Sequence, residues 1–151
     1  MKLEWKDYYT MNLPEIDNDH KQLFRIAQRI VEMVDETGNA DDRTRVFVVR
    51  EGVKYLKTYF AEHAVREEAY MRSIGYEHYL DHKRLHDEFQ IVEIGRFEKV
   101  ISRGSCTREE VLDFVGAGGR QILCRVGGPQ LAGIPGIRRS AWNKSPLRAA
   151  R

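Results

Sequence analysis

Eight residues between Val46 and Met71 recur in steps of three and four: Val46, Val49, Val53, Leu56, Phe60, His63, Glu67 and Met71. That spacing puts all eight on one face of a single long helix. A face so largely apolar has to be covered by other helices, so the stripe points to an all-α domain. Two of its members, His63 and Glu67, are also potential metal ligands.

The flanking sequence supplies the covering helices. Residues 1–16 read as an irregular arm with Trp5, Tyr8, Tyr9 and Pro14, and Asp17 or Asn18 is placed to cap a first helix. Leu23, Ala27, Ile30, Val31 and Val34 follow at helical spacing, and Thr37-Gly38-Asn39 is the stop. The second helix starts near Asp41 or Asp42 and breaks at Ser73-Ile74-Gly75. A third runs from about Glu77 to Ile101, with Tyr79, His82, His86, Phe89 and Phe97 along or beside its inner face. Thr107 and Glu110 then form a T-x-x-E capping box ahead of Val111-Leu112, which opens a fourth helix. Short loops make neighbours antiparallel, so the expected architecture is an up-down four-helix bundle.

The chain changes character after residue 116. Residues 1–116 hold 18 Lys/Arg and all 23 Asp/Glu, a net −5, whereas residues 117–151 hold 7 Lys/Arg and no acid, a net +7. The second part also carries six of the twelve glycines and three of the four prolines. Each glycine costs a helix interior about 1 kcal/mol relative to alanine. The expectation is therefore a helical bundle over 1–116 and a basic Gly/Pro-rich tail over 117–151. The fourth helix should then be weakened or disordered after about residue 117.

A chain of 151 residues suits one domain with a core large enough to fold without disulfides. Cys106 and Cys124 make no CxxC pair, which argues against a thiolate zinc site and a disulfide framework. No apolar run approaches the ~20 residues of a membrane span, and the N-terminus lacks the apolar stretch of a secretory leader. These features together point to the cytoplasm. The basic tail with Trp142 could touch nucleic acid or anionic lipid, but it carries no recognition motif, so neither partner is expected.

The chemistry lies in the histidines. His63 and Glu67 are four residues apart on one helix, and His82 and His86 repeat that spacing on the next. His20 lies at the start of the first helix. In an antiparallel bundle these inward faces converge, so His20, His63, Glu67, His82 and His86 can meet in the core. Imidazoles with a carboxylate suit borderline metals such as iron, and Glu67, having two oxygens, can bridge two ions. Glu68 turns about a quarter of the way round the helix and should face solvent. His78 is also four residues from His82, leaving a 78/82 pair open, although its place near the helix start favours exposure.

These motifs resemble those of the hemerythrin family over roughly residues 5–114. They are Trp5, Ile16-Asp17-x-x-His20-Lys21-x-Leu23, His63-x-x-x-Glu67-Glu68-x-x-Met71, Gly75-Tyr76 and His82-x-x-x-His86. The resemblance implies a four-helix bundle holding two non-haem iron ions that bind O2 reversibly, without catalysis. By that analogy His20 and His63 ligate the iron open to O2, His82 and His86 ligate the other, and Glu67 bridges. Leu23, Phe24, Phe60 and Leu85 are candidate walls of the O2 pocket, each equally explained as ordinary core.

The family pattern also has a fourth-helix tryptophan followed by His-x-x-x-x-Asp, and this chain departs from it. No histidine follows His86 and no acid follows Asp113. Arg125 and Gln130 stand at the matching spacing; a guanidinium cannot ligate a cation and an amide is a poor bridge. In-frame divergence accounts for that spacing, and a shifted reading frame near residue 117 accounts for the change in composition. The expected function is O2 storage, delivery or sensing, impaired by the missing ligands. The alternative is an iron-handling bundle with one stable metal or none.

Overall fold

The computed structural model describes residue 5, residue 7 and residues 10–126. Its helices are α1 (Pro14–Thr37), α2 (Asp42–Ser73), α3 (Tyr79–Glu88), α4 (Ile94–Ser102) and α5 (Arg108–Val126). A π-helical segment, Phe89–Glu93, joins α3 to α4 without a break, so the two form one rod and the bundle has four rods. No helix among the described residues is long and apolar enough to cross a membrane.

α1 starts earlier than its sequence suggests. Pro14 occupies the first turn, where a fixed φ and a missing N–H do no harm. Asp17 is therefore not the cap. Its carboxylate instead accepts the Met11 N–H at 2.8 Å. Asn12, at φ 60, turns the arm so that Met11 folds back onto the bundle end and is buried. α2 begins as expected, with Asp41 Oδ1 accepting the Thr44 N–H at 2.8 Å. All eight members of the α2 stripe are buried, joined by Ala64. Gly52 lets α1 approach α2 closely: a Cβ there would lie 2.8 Å from Ile30 Cγ1.

The π segment solves a problem of register. The buried positions on the third rod are His82, His86, Phe89, Ile94, Phe97 and Ile101. From Phe89 to Ile94 is a step of five, which in an unbroken α-helix would leave Ile94 about 140° off the inner face. The Ile94 N–H instead donates to the Phe89 carbonyl five residues back, and the wider turn absorbs the extra residue. Both the histidine end and the aliphatic end of the rod then face inward.

The capping box opens α5: the Glu110 N–H donates to Thr107 Oγ1 at 3.1 Å, and the Thr107 N–H to Glu110 Oε2 at 2.9 Å. The α5 backbone is helical past Gly116, Gly118 and Gly119 as far as Val126. Packing favours glycine at one of these positions. Gly118 is buried, and a Cβ on it would meet Phe89 Cε2 at 3.1 Å and Cζ at 3.3 Å. Gly118→Val should cost about 1–3 kcal/mol through overpacking, although valine is the better helix former. Urea denaturation measures this; an unchanged midpoint would mean that α5 does not seat on Phe89.

The main core runs through all four rods, from Leu23, Ile30, Val31 and Val34 on α1 to Val111, Phe114 and Val115 on α5. Phe97 and Phe114 stack at 4.2 Å between ring centres, 3° from parallel. A second, smaller apolar cluster of Met11, Ile16 and Met71, with Leu13, Tyr70, Tyr76 and Tyr79 against it, closes the other end.

Candidate metal centre

Between the two apolar clusters lies a polar layer. On α1 His20 sits between Ile16 and Leu23, on α2 His63 and Glu67 sit between Phe60 and Met71, and on α3 His82 and His86 sit between Tyr79 and Phe89. The five side chains are 1–4% exposed. Their donor atoms form two overlapping groups, His20–His63–Glu67 and Glu67–His82–His86, with Glu67 common to both.

Glu67 Oε2 is the focal atom. His82 Nε2 lies 2.9 Å from it, His86 Nε2 3.0 Å and His63 Nε2 3.3 Å. The two ring nitrogens of His82 and His86 are themselves 3.2 Å apart. Glu67 Oε1 faces His20 Nε2 at 3.8 Å, and neither of those atoms has a hydrogen-bond partner among the described residues. Two buried polar atoms that face each other without a bond are costly to leave so. A cation between them would satisfy both, and four imidazoles around one carboxylate match the donor preference of iron and its neighbours. The residues present therefore fit a metal.

The layer is strongly polarised. Burial works to raise Glu67, but the charge on His63 and contacts from His63, His82 and His86 outweigh it and hold the carboxyl well below its usual range. Burial, helped by the charge on His63, pushes His20 down to about 3, so it is neutral with a lone pair to offer. Burial would also lower His63, yet the charge on Glu67 and contacts with Asp19 and Glu67 lift it to about 9. At neutral pH His63 thus carries a proton that a metal ion would have to displace.

Two carboxylates missed as partners in the sequence stand behind the histidines. Asp19, 3% exposed, lies 3.5 Å from His63 Nδ1. Its oxygens accept two 2.8 Å bonds from Arg66 and one of 3.1 Å from the Tyr59 hydroxyl. Burial opposes its charge, but His63 and Arg66 keep it well below the carboxylate range. Glu68 does not face solvent as expected. It is 13% exposed, and its Oε1 lies 2.9 Å from His86 Nδ1. Its flank position on α2 lies beside the third rod, and a glutamate is long enough to reach across. Acidic residues next to His20 and Glu67 were the available signal for both.

Among the wall candidates, Leu23 and Phe60 are buried in the main core, Phe24 is buried but outside both apolar clusters, and Leu85 is half-buried and also outside them. Phe60 touches the layer most closely, edge-on to His63 at 5.7 Å and to His86 at 5.6 Å. Trp5 packs edge-on to Phe24 at 5.8 Å. His78 is at the start of α3, 49% exposed and 3.8 Å from Asp81, so the 78/82 pairing does not form. Gln130 and the side chain of Arg125 lie outside the described residues.

Comparison with known proteins agrees with this geometry. The hemerythrin HHE cation binding domain matches residues 11–120. A bacteriohemerythrin of Clostridium acetobutylicum is 32% identical over 112 residues, which cover 74% of this chain and 84% of the relative. Bacteriohemerythrins of Pseudomonas aeruginosa strain PAO1 and Pseudomonas paraeruginosa are each 31% identical over 87 residues. The match spans about half the length of those two relatives (52%). No solved structure matches significantly.

Proposed function

The chain belongs to the hemerythrin family, and from that premise we propose that it binds iron in the layer of His20, His63, Glu67, His82 and His86 and takes O2 as the ligand of that centre. One observation supports this most: two ligand groups on three helices share a single buried carboxylate, an arrangement that suits a pair of ions. Iron held by these residues would supply the electrons for binding O2. The chain's own part is to hold the ligands, to span the two positions with Glu67, and to keep water out with Leu23, Phe24 and Phe60. A histidine-dominated set suits reversible binding in storage, delivery or sensing better than turnover, so no enzymatic role is assigned. Cys106 and Cys124, as isolated thiols, fit a cytoplasmic setting.

A second reading has one specific support. With no histidine after His86 and no acid after Asp113, the fourth helix offers none of the ligands usual in the family. On that reading the bundle handles iron, with one stable ion or none, and O2 is not held. Iron per chain, with the visible spectrum under O2 and under argon, separates the two. Two irons and an oxygen-dependent band that reverses under argon support O2 binding. One iron or none, with no reversible band, leaves only the metal-handling reading.

A further inference from the structure

The two halves of the polar layer are not equivalent. The Glu67–His82–His86 half is already drawn to the dimensions of a metal site. Three ligands about 2.1 Å from a six-coordinate ion, at right angles to one another, lie about 3.0 Å apart. The three separations here are 2.9, 3.0 and 3.2 Å. In the other half the closest approaches of His63 and His20 to Glu67 are 3.3 and 3.8 Å, and they go to different oxygens. That half is wider and less regular, with its two histidines addressing Glu67 through different oxygens.

We propose that this chain loads its first metal ion at Glu67, His82 and His86. These form a two-histidine, one-carboxylate face, and Glu68 acts as the positioning residue that fixes the ring of His86. The His20–His63 half fills later and more weakly. This rests on the metal reading above and goes beyond it in ranking the halves. Glu68 Oε1, 2.9 Å from His86 Nδ1, holds the ring with Nε2 toward Glu67. An outer carboxylate on a ligating imidazole fixes its tautomer and raises its basicity. Asp19 stands behind His63 in a similar way, but at 3.5 Å and with Arg66 and Tyr59 sharing its oxygens, so it orients His63 less firmly. With no histidine after His86 in the sequence, the face at His82 and His86 keeps positions that solvent or a small ligand can take.

The test is calorimetric titration of the metal-free full chain with Co2+ under argon, for the natural sequence and for His82→Gln, His20→Gln and Glu68→Gln. Circular-dichroism melting of each metal-free variant checks the fold. His82→Gln should weaken the first equivalent at least about 100-fold, whereas His20→Gln should leave it within about threefold and remove the second. Glu68→Gln should weaken the first equivalent about 10–100-fold, with Glu68→Asp recovering part of the loss and neither shifting the metal-free melt. Equal losses in His20→Gln and His82→Gln would overturn the ranking while the metal reading stood. No loss in Glu68→Gln would remove Glu68 from its role. No heat from the natural sequence would remove the metal reading itself.

Discussion

Glu67→Gln should leave the chain helical and unable to retain metal, with affinity down at least about 100-fold. Even the outer partners of ligands are worth 10–100-fold, and Glu67 is itself the ligand shared by both groups. Glutamine keeps the shape but offers one neutral oxygen where two charged ones stood, so neither half keeps an anion to offset a divalent ion. Metal content after dialysis against a moderate chelator, set beside the natural sequence, reads the loss directly. The substitution also removes one of the two charges that lift His63, so His63 should titrate lower, with Asp19 still raising it. Retention of natural metal content by the variant would mean that the ions bind elsewhere.

Phe60→Ala should have the largest effect on the fold, about 3–5 kcal/mol of lost stability. The ring is 3% exposed and lies where the polar layer meets the main core. It packs on Phe89 at 4.5 Å and on the rings of His63 and His86. Alanine leaves a cavity bordered on one side by imidazoles, which water can enter. Such a loss is a large share of the 5–15 kcal/mol that holds a typical domain together. Urea denaturation should show a much lower midpoint, and Phe60→Leu a smaller shift. A midpoint within about 1 kcal/mol of the natural protein would mean that Phe60 is not a packing element of this layer.

The parts of the fold that follow a strict period were legible in the sequence. The α2 stripe announces its burial residue by residue because nothing interrupts its steps of three and four. The third rod was legible only in part. Ile94 falls out of step with Phe89, and only a change of helix type brings it back, a feature that α-helical periodicity cannot express. The start of α1 was displaced because Asp17 resembles a cap but serves Met11 instead. In the site, residues aligned with the stripe could be picked out. Asp19 and Glu68 could not, because they lie beside the ligands in sequence and reach them only through side-chain length and a neighbouring helix.

The arm that folds Met11 over the bundle end bears on how fast the centre can exchange its contents. Of the two apolar clusters that enclose the polar layer, the one at the arm end has, among the described residues, three buried members with Leu13, Tyr70, Tyr76 and Tyr79 against them, and it is tied by the bond from Met11 to Asp17. Its opening requires the loss of few contacts, while the opposite face opens only if the main core does. Traffic to the histidines should therefore follow local opening of residues 10–13 more readily than unfolding of the whole domain. The arm would act as a kinetic valve, so that the lifetime of whatever the layer holds depends on a segment that donates no ligand to it.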